Sequence, residues 1–202
     1  MLLTIATAFI AFASTNLDDI VLLMIFFSQT NGNFRQRHVV AGQYLGIGIL
    51  VVVSLLGFAG AAVLPPNLIR LLGLIPLAIG LYRLFRQFTG KHDDPIESEA
   101  VHVQPARGWL GGLLNPYLLG VTGVTVANGA DNISVYVPLF ANQSLPDVLL
   151  TIVIFGILVA VWCYAGYRIA RYPSVAHFLE RYGERLVPYI FILLGLYILL
   201  QG

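Results

Sequence analysis

Thr15-Asn16-Leu17-Asp18-Asp19-Ile20 sets two adjacent carboxylates inside an apolar run that extends from Met1 to about Gln29. A carboxylate near the middle of a bilayer costs roughly 2.5 to 3.5 kcal/mol on insertion scales, so two side by side require a compensating partner or a function. Asn128-Gly129-Ala130-Asp131-Asn132-Ile133 repeats the problem inside a second long apolar segment. The rest of the chain reads as scaffold around these two stretches.

That the runs lie in a membrane follows from composition. The 202 residues are 58% hydrophobic and 10% charged, with a mean hydropathy of +0.83, whereas soluble domains carry roughly 25% charged residues. An integral membrane protein of this length has no room for a soluble catalytic domain of ordinary size, so no enzyme, no resident cofactor and no nucleic-acid partner are expected. Cys163 is the single cysteine, which excludes an intramolecular disulfide and a thiolate-cluster site. The N-terminus lacks a basic leader region, and Asp18 and Asp19 fall where small residues would mark cleavage, so no removable signal peptide is expected.

Six segments suit helices of about 20 residues, near Leu2 to Phe27, Val39 to Val63, Leu68 to Phe85, Leu113 to Phe140, Leu145 to Ile169 and Leu186 to Leu200. Pro65-Pro66-Asn67 makes a tight connection between the second and third. The polar stretch 91–108 separates two halves, 1–90 and 109–202. The halves look related: Asp18-Asp19-Ile20 recurs as Asp131-Asn132-Ile133, Gly48-Ile49-Leu50-Val51 as Gly156-Ile157-Leu158-Val159, and Gly80-Leu81-Tyr82 as Gly195-Leu196-Tyr197, at offsets of 113, 108 and 115 residues. With three spans per half, duplication inverts the second half, so the expected fold is an all-α membrane protein of six transmembrane helices in two inverted three-helix repeats. Ten of the eleven Lys and Arg residues flank the first, third and fifth connections, and Arg70 alone lies on the other side. This bias places those connections in the cytoplasm and both termini outside it. Small-residue helix faces at Gly42, Gly46, Gly57, Gly60, Gly73 and Gly80 read as close-packing positions and allow a homodimer without specifying one.

In this layout Asp18, Asp19 and Asp131 are deep in the membrane and no internal cation balances them. They must hold protons or bind a mobile cation. Asn16 and Asp19, like Asn128 and Asp131, stand three residues apart on one helix face, with Asp18 and Asn132 beside them. Asn16, Asp18, Asp19, Asn128, Asp131 and Asn132 together offer carboxylate and amide oxygens suited to a divalent cation. Thr15, Thr125 and Ser134 add hydroxyls, and Gly129 marks a point where the helix can open and free backbone carbonyls. Gln43 reads as a helix contact and Cys163 as a small buried hydrophobe. His92, Asp93, Asp94, Glu97, Glu99 and His102 in the central loop read as a solvated linker, with collection of metal as the alternative.

The runs Ala13-Ser14-Thr15-Asn16-Leu17-Asp18-Asp19-Ile20 and Ala127-Asn128-Gly129-Ala130-Asp131-Asn132-Ile133, within a 3+3 span plan, resemble the cadmium-resistance transporter family of the lysine-exporter superfamily. The resemblance implies a bacterial inner-membrane exporter of divalent cations, cadmium among them, and makes those six Asn and Asp residues the positions to test. Oxygen ligands alone suit manganese, calcium or magnesium at least as well as cadmium, a soft ion that prefers thiolates; zinc is a further candidate. With no nucleotide-binding motif, export calls for exchange with protons across the lipid bilayer. Export of a small organic cation or amino acid is the alternative, followed by a passive cation channel and an intramembrane aspartyl protease.

Overall fold

The computed structural model describes residues 1–61, 71–89, 115–171 and 187–200. The described residues form helices and connecting turns, with no strand among them. Their helices are α1 (Leu2–Thr15), α2 (Asp19–Ser28), α3 (Gln36–Ala61), α4 (Leu74–Phe88), α5 (Pro116–Ala127), α6 (Ala130–Ala141), α7 (Leu145–Ile169) and α8 (Val187–Leu200). Pro65-Pro66-Asn67 and the central loop cluster lie outside the described residues.

Among the described residues two helices are long and apolar enough to cross a membrane, Gln36–Gly60 within α3 and Leu145–Ile169. A third span results if α1 and α2 are taken together, although they meet at a bend of 60°. This corrects the expectation of one continuous helix from Leu2 to Phe27. Asparagine and aspartate side chains compete with the helical ladder for nearby backbone groups, and three of the four residues from Asn16 to Asp19 are of this kind. Asn16 closes α1 through its N–H to the Phe12 carbonyl at 3.0 Å, while the Asp18 carboxylate accepts from the Asp19 N–H at 3.1 Å at the start of α2. The Asn16 carbonyl, turned away from any helix, accepts from the Trp162 indole of α7 at 2.7 Å. A buried chain break needs such a replacement partner.

The fourth apolar segment is also interrupted. Its two parts, α5 and α6, meet at Asn128 and Gly129, the point where the glycine suggested opening. The segment expected from Leu145 to Ile169 is α7 with those bounds, and the sixth is the shorter helix α8.

Packing crosses between the two ends of the sequence. The long helix α3 packs on α5 and α6, whereas α7 packs on α1 and α2. Two glycines bring α3 close to α5: a Cβ at Gly42 would stand 2.7 Å from the Val121 Cβ, and one at Gly46 would stand 2.6 Å from the Thr125 Cβ. Gly57, Gly73 and Gly80 are likewise in close approach, but Gly60 has nothing within 4 Å of its Cβ position, so its expected packing role is withdrawn. Phe12 meets Phe155 and Trp162 at 5.3 Å between ring centroids, and Tyr136 meets Phe155 at 4.6 Å. Those contacts fasten α1 and α6 to α7 next to both breaks.

Candidate functional site

The two interruptions face each other, because asparagine side chains bridge from one to the other. Asn128 Nδ2 donates to Asp18 Oδ2 at 3.0 Å and to Asp19 Oδ1 at 3.3 Å. Asn132 Nδ2 donates to Asn16 Oδ1 at 3.0 Å. Five of the six residues singled out from the sequence are thus joined directly by side-chain hydrogen bonds across the two breaks.

Asp18 and Asp19 are fully engaged by neutral donors. Asp19, buried at 5% exposure, also accepts from Gln43 Nε2 at 2.8 Å through Oδ2. Gln43 is held in turn by Thr125, whose hydroxyl donates to Gln43 Oε1 at 2.8 Å. The close approach at Gly46 sets that distance, since it seats Thr125 against α3 one turn beyond Gln43. With the Asp19 N–H on Asp18 Oδ1, all four carboxylate oxygens accept a hydrogen bond. The donors are amide N–H groups, which orient the carboxylates but leave their formal charge in place.

Asn16 and Asn132 sit in a second, neutral cluster around the buried Tyr136 hydroxyl. Asn16 Nδ2 donates to that oxygen at 2.9 Å and Asn132 Nδ2 at 3.0 Å, and Thr15 Oγ1 lies 3.2 Å from it. Asn132 and Tyr136 are four residues apart on α6, the spacing that stacks side chains on one helix face. Tyr136 and Trp162 were not singled out in the sequence; the i, i+4 relation to Asn132 was the available signal for the tyrosine.

Asp131 stands apart from both clusters. Its carboxylate forms an ion pair with Arg83 of α4, whose side chain is 33% exposed against 20% for Asp131. The expectation that no internal cation balances the aspartates is therefore corrected. Arg83 was counted among loop charges, but its long side chain reaches back from the second half of α4 into the protein. Ser134 caps locally, its hydroxyl donating to the Asp131 carbonyl at 2.7 Å.

Among the described residues no three His, Cys, Asp or Glu side chains converge tightly enough to hold a metal ion. The acidic groups form a pair plus an outlying aspartate, with amides between them. Gln43, Asp19, Asn16, Asn132 and Tyr136 are buried, whereas Asp18, Asn128, Asp131 and Arg83 are partly exposed. The site thus has an accessible rim and a closed floor. A separate recess of about 380 Å³ near the start of α3 is lined by Arg35, Arg37 and His38, and its basic character suits no cation. Cys163 is buried at 4% exposure, as expected of a small hydrophobe.

Residues 12–202 match the family model described as cadmium resistance transporter, a range that includes both motifs. No curated protein and no solved structure matches the chain.

Proposed function

Since the chain belongs to the cadmium resistance transporter family, we propose that it exports divalent metal cations across the bacterial inner membrane in exchange for protons. The observation that carries this reading is a charge deficit. Asp18, Asp19 and Asp131 with Arg83 sum to two formal negative charges when all are ionised, the complement of one divalent cation or of two protons.

The arrangement suits a site that alternates between those occupants. Asn128 spans Asp18 and Asp19 with its amide hydrogens; rotating the amide by half a turn presents its oxygen instead, and two carboxylates plus an amide oxygen make a hard-cation ligand set. Asn16, Asn132 and Asp131 supply further oxygens as the rim closes, and Gln43 orients Asp19 from behind. Oxygen donors suit manganese, calcium or magnesium best, and cadmium and zinc enter the same oxygen site as further cargo.

Moving a divalent cation outward against about 100 mV, inside negative, costs roughly 4.6 kcal/mol. Two protons moving inward through the same carboxylates make the exchange electroneutral. The halves 1–90 and 109–202 act as inverted repeats of three spans each, rocking about the two breaks, with both termini outside the cytoplasm. Broken helices at a midplane site fit this plan.

The test is metal flux in proteoliposomes for wild type, Asp18→Asn and Asp19→Asn. Flux falling at least 100-fold in both variants, with insertion and melting temperature retained, is expected. Normal flux in both would remove the site assignment, and a wild type silent for every metal would move the reading to an organic cation or amino acid.

A further inference from the structure

We propose that Arg83 is a tethered counter-cation that competes with the transported metal for Asp131, so that metal binding releases α4 from α6. The inference rests on the site reading above and adds a residue and a coupling to it.

Three observations lead there. First, the Arg83–Asp131 pair is the one cationic contact to the three aspartates among the described residues, and it lies on the rim, with both side chains partly exposed. A divalent ion attracts a carboxylate with twice the charge of a guanidinium at the same distance, so it competes with the arginine for the pair's accessible carboxylate. Second, Arg83 already has another partner beside Asp131. Its guanidinium carbon lies 5.4 Å from the centroid of the Phe191 ring of α8, within the range at which an aromatic face attracts a cation, so it keeps a contact when Asp131 is taken from it. Third, α4 is fastened more closely to α8 than to the site. A Cβ at Gly73 would stand 2.8 Å from the Gly195 carbonyl, and one at Gly80 would stand 2.8 Å from the Pro188 carbonyl, so these helices touch backbone to backbone. A cation arriving at Asp131 would leave the guanidinium with Phe191 alone and α4 with α8, detached from α6. Return of Arg83 to Asp131 would then help expel the metal.

The alternative is a static bridge that only pins α4 to α6, and the two roles predict opposite changes in affinity. Calorimetric titration of the purified full-length chain with manganese or cadmium, for wild type, Arg83→Lys, Arg83→Gln and Asp19→Asn, separates them. Removing the competitor should tighten metal binding about tenfold in Arg83→Gln, with Arg83→Lys in between, while turnover at saturating metal falls in the same order. Unchanged or weaker affinity in both Arg83 variants would overturn the inference. Should Arg83→Gln fail to fold, Arg83→Lys carries the test alone, with tighter binding about threefold expected and unchanged binding overturning it. If wild type binds metal, Asp19→Asn does not, and the Arg83 variants match wild type, the site reading stands and this inference falls. If wild type binds no metal, both fall.

Discussion

The two helix breaks hold similar residues and solve different problems. At Asp18 and Asp19 two carboxylates lie together under the amide hydrogens of Asn128 and Gln43. At Asn132 the corresponding cluster is neutral, built from Asn16, Tyr136 and Thr15 around one phenol oxygen. Neutral groups that satisfy one another make a stable hinge, whereas carboxylates held only by amides keep an affinity for cations. The carboxylate pair is thereby suited to binding, and the neutral cluster, which joins Asn16 of the first break to Asn132 of the second, to holding that pair in register until the rim closes. Asp131, at the start of α6, is the exception in the second break, and it carries its own cation in Arg83.

Removing charge from the first break is the strongest way to test this division. Asp19→Asn keeps the shape but turns one of the two acceptors for Gln43 and Asn128 into an NH2 donor, and it is expected to lower metal flux at least 100-fold with a melting temperature lowered by a few degrees at most. An equal loss of flux from Asn132→Ala at unchanged stability would erase the distinction between binding and hinge.

Next in size is the hinge. Tyr136→Phe removes the acceptor of one Asn132 amide hydrogen, while Asn16 keeps the Phe12 carbonyl and Thr15 Oγ1, and an unsatisfied buried polar group costs about 1 to 3 kcal/mol. The expected result is a lower melting temperature, read by circular dichroism, with metal affinity within about threefold of wild type. Gln43→Leu should act on binding as well as on stability. It strips the buried Asp19 Oδ2 of its donor, lowers the melting temperature for the same reason, and weakens metal binding about tenfold, roughly the 1.4 kcal/mol of one orienting hydrogen bond, measured by calorimetry.

The smallest effect concerns sulfur. Cys163→Ser is expected to leave the ratio of cadmium to manganese flux within about twofold, because both ions use the oxygen ligands. A selective loss of cadmium flux would add the thiol to the site.

The candidate site residues were legible because a carboxylate in an apolar run has few stable explanations. Asn16, Asp18, Asp19, Asn128, Asp131 and Asn132 stand out on polarity alone, and the close-packed glycines at 42 and 46 follow from small residues on an apolar helix. The break in the first segment was hidden because Leu17 and Ile20 keep the apolar run continuous through it, so hydropathy averages over a turn that side-chain hydrogen bonds decide. Gln43 was read as a helix contact and proves to be that and an orienting partner for Asp19 as well. Arg83 was concealed by the assumption that a basic residue near a helix end belongs to the loop. A side chain of that length can point either way, and only the position of Asp131 in three dimensions settles which. Tyr136 looked like one more aromatic in an apolar helix; its hydroxyl matters only because two amides from different breaks meet there.

The central claim is that a divalent cation and two protons alternately fill one charge deficit between the two breaks. Proteoliposomes containing a pH-sensitive dye, challenged with a metal gradient with and without an imposed membrane potential, test it most directly. The account predicts two protons moved per metal ion, a rate insensitive to potential, and loss of both fluxes in Asp19→Asn. Metal flux that is accelerated by potential and accompanied by no proton movement would contradict it.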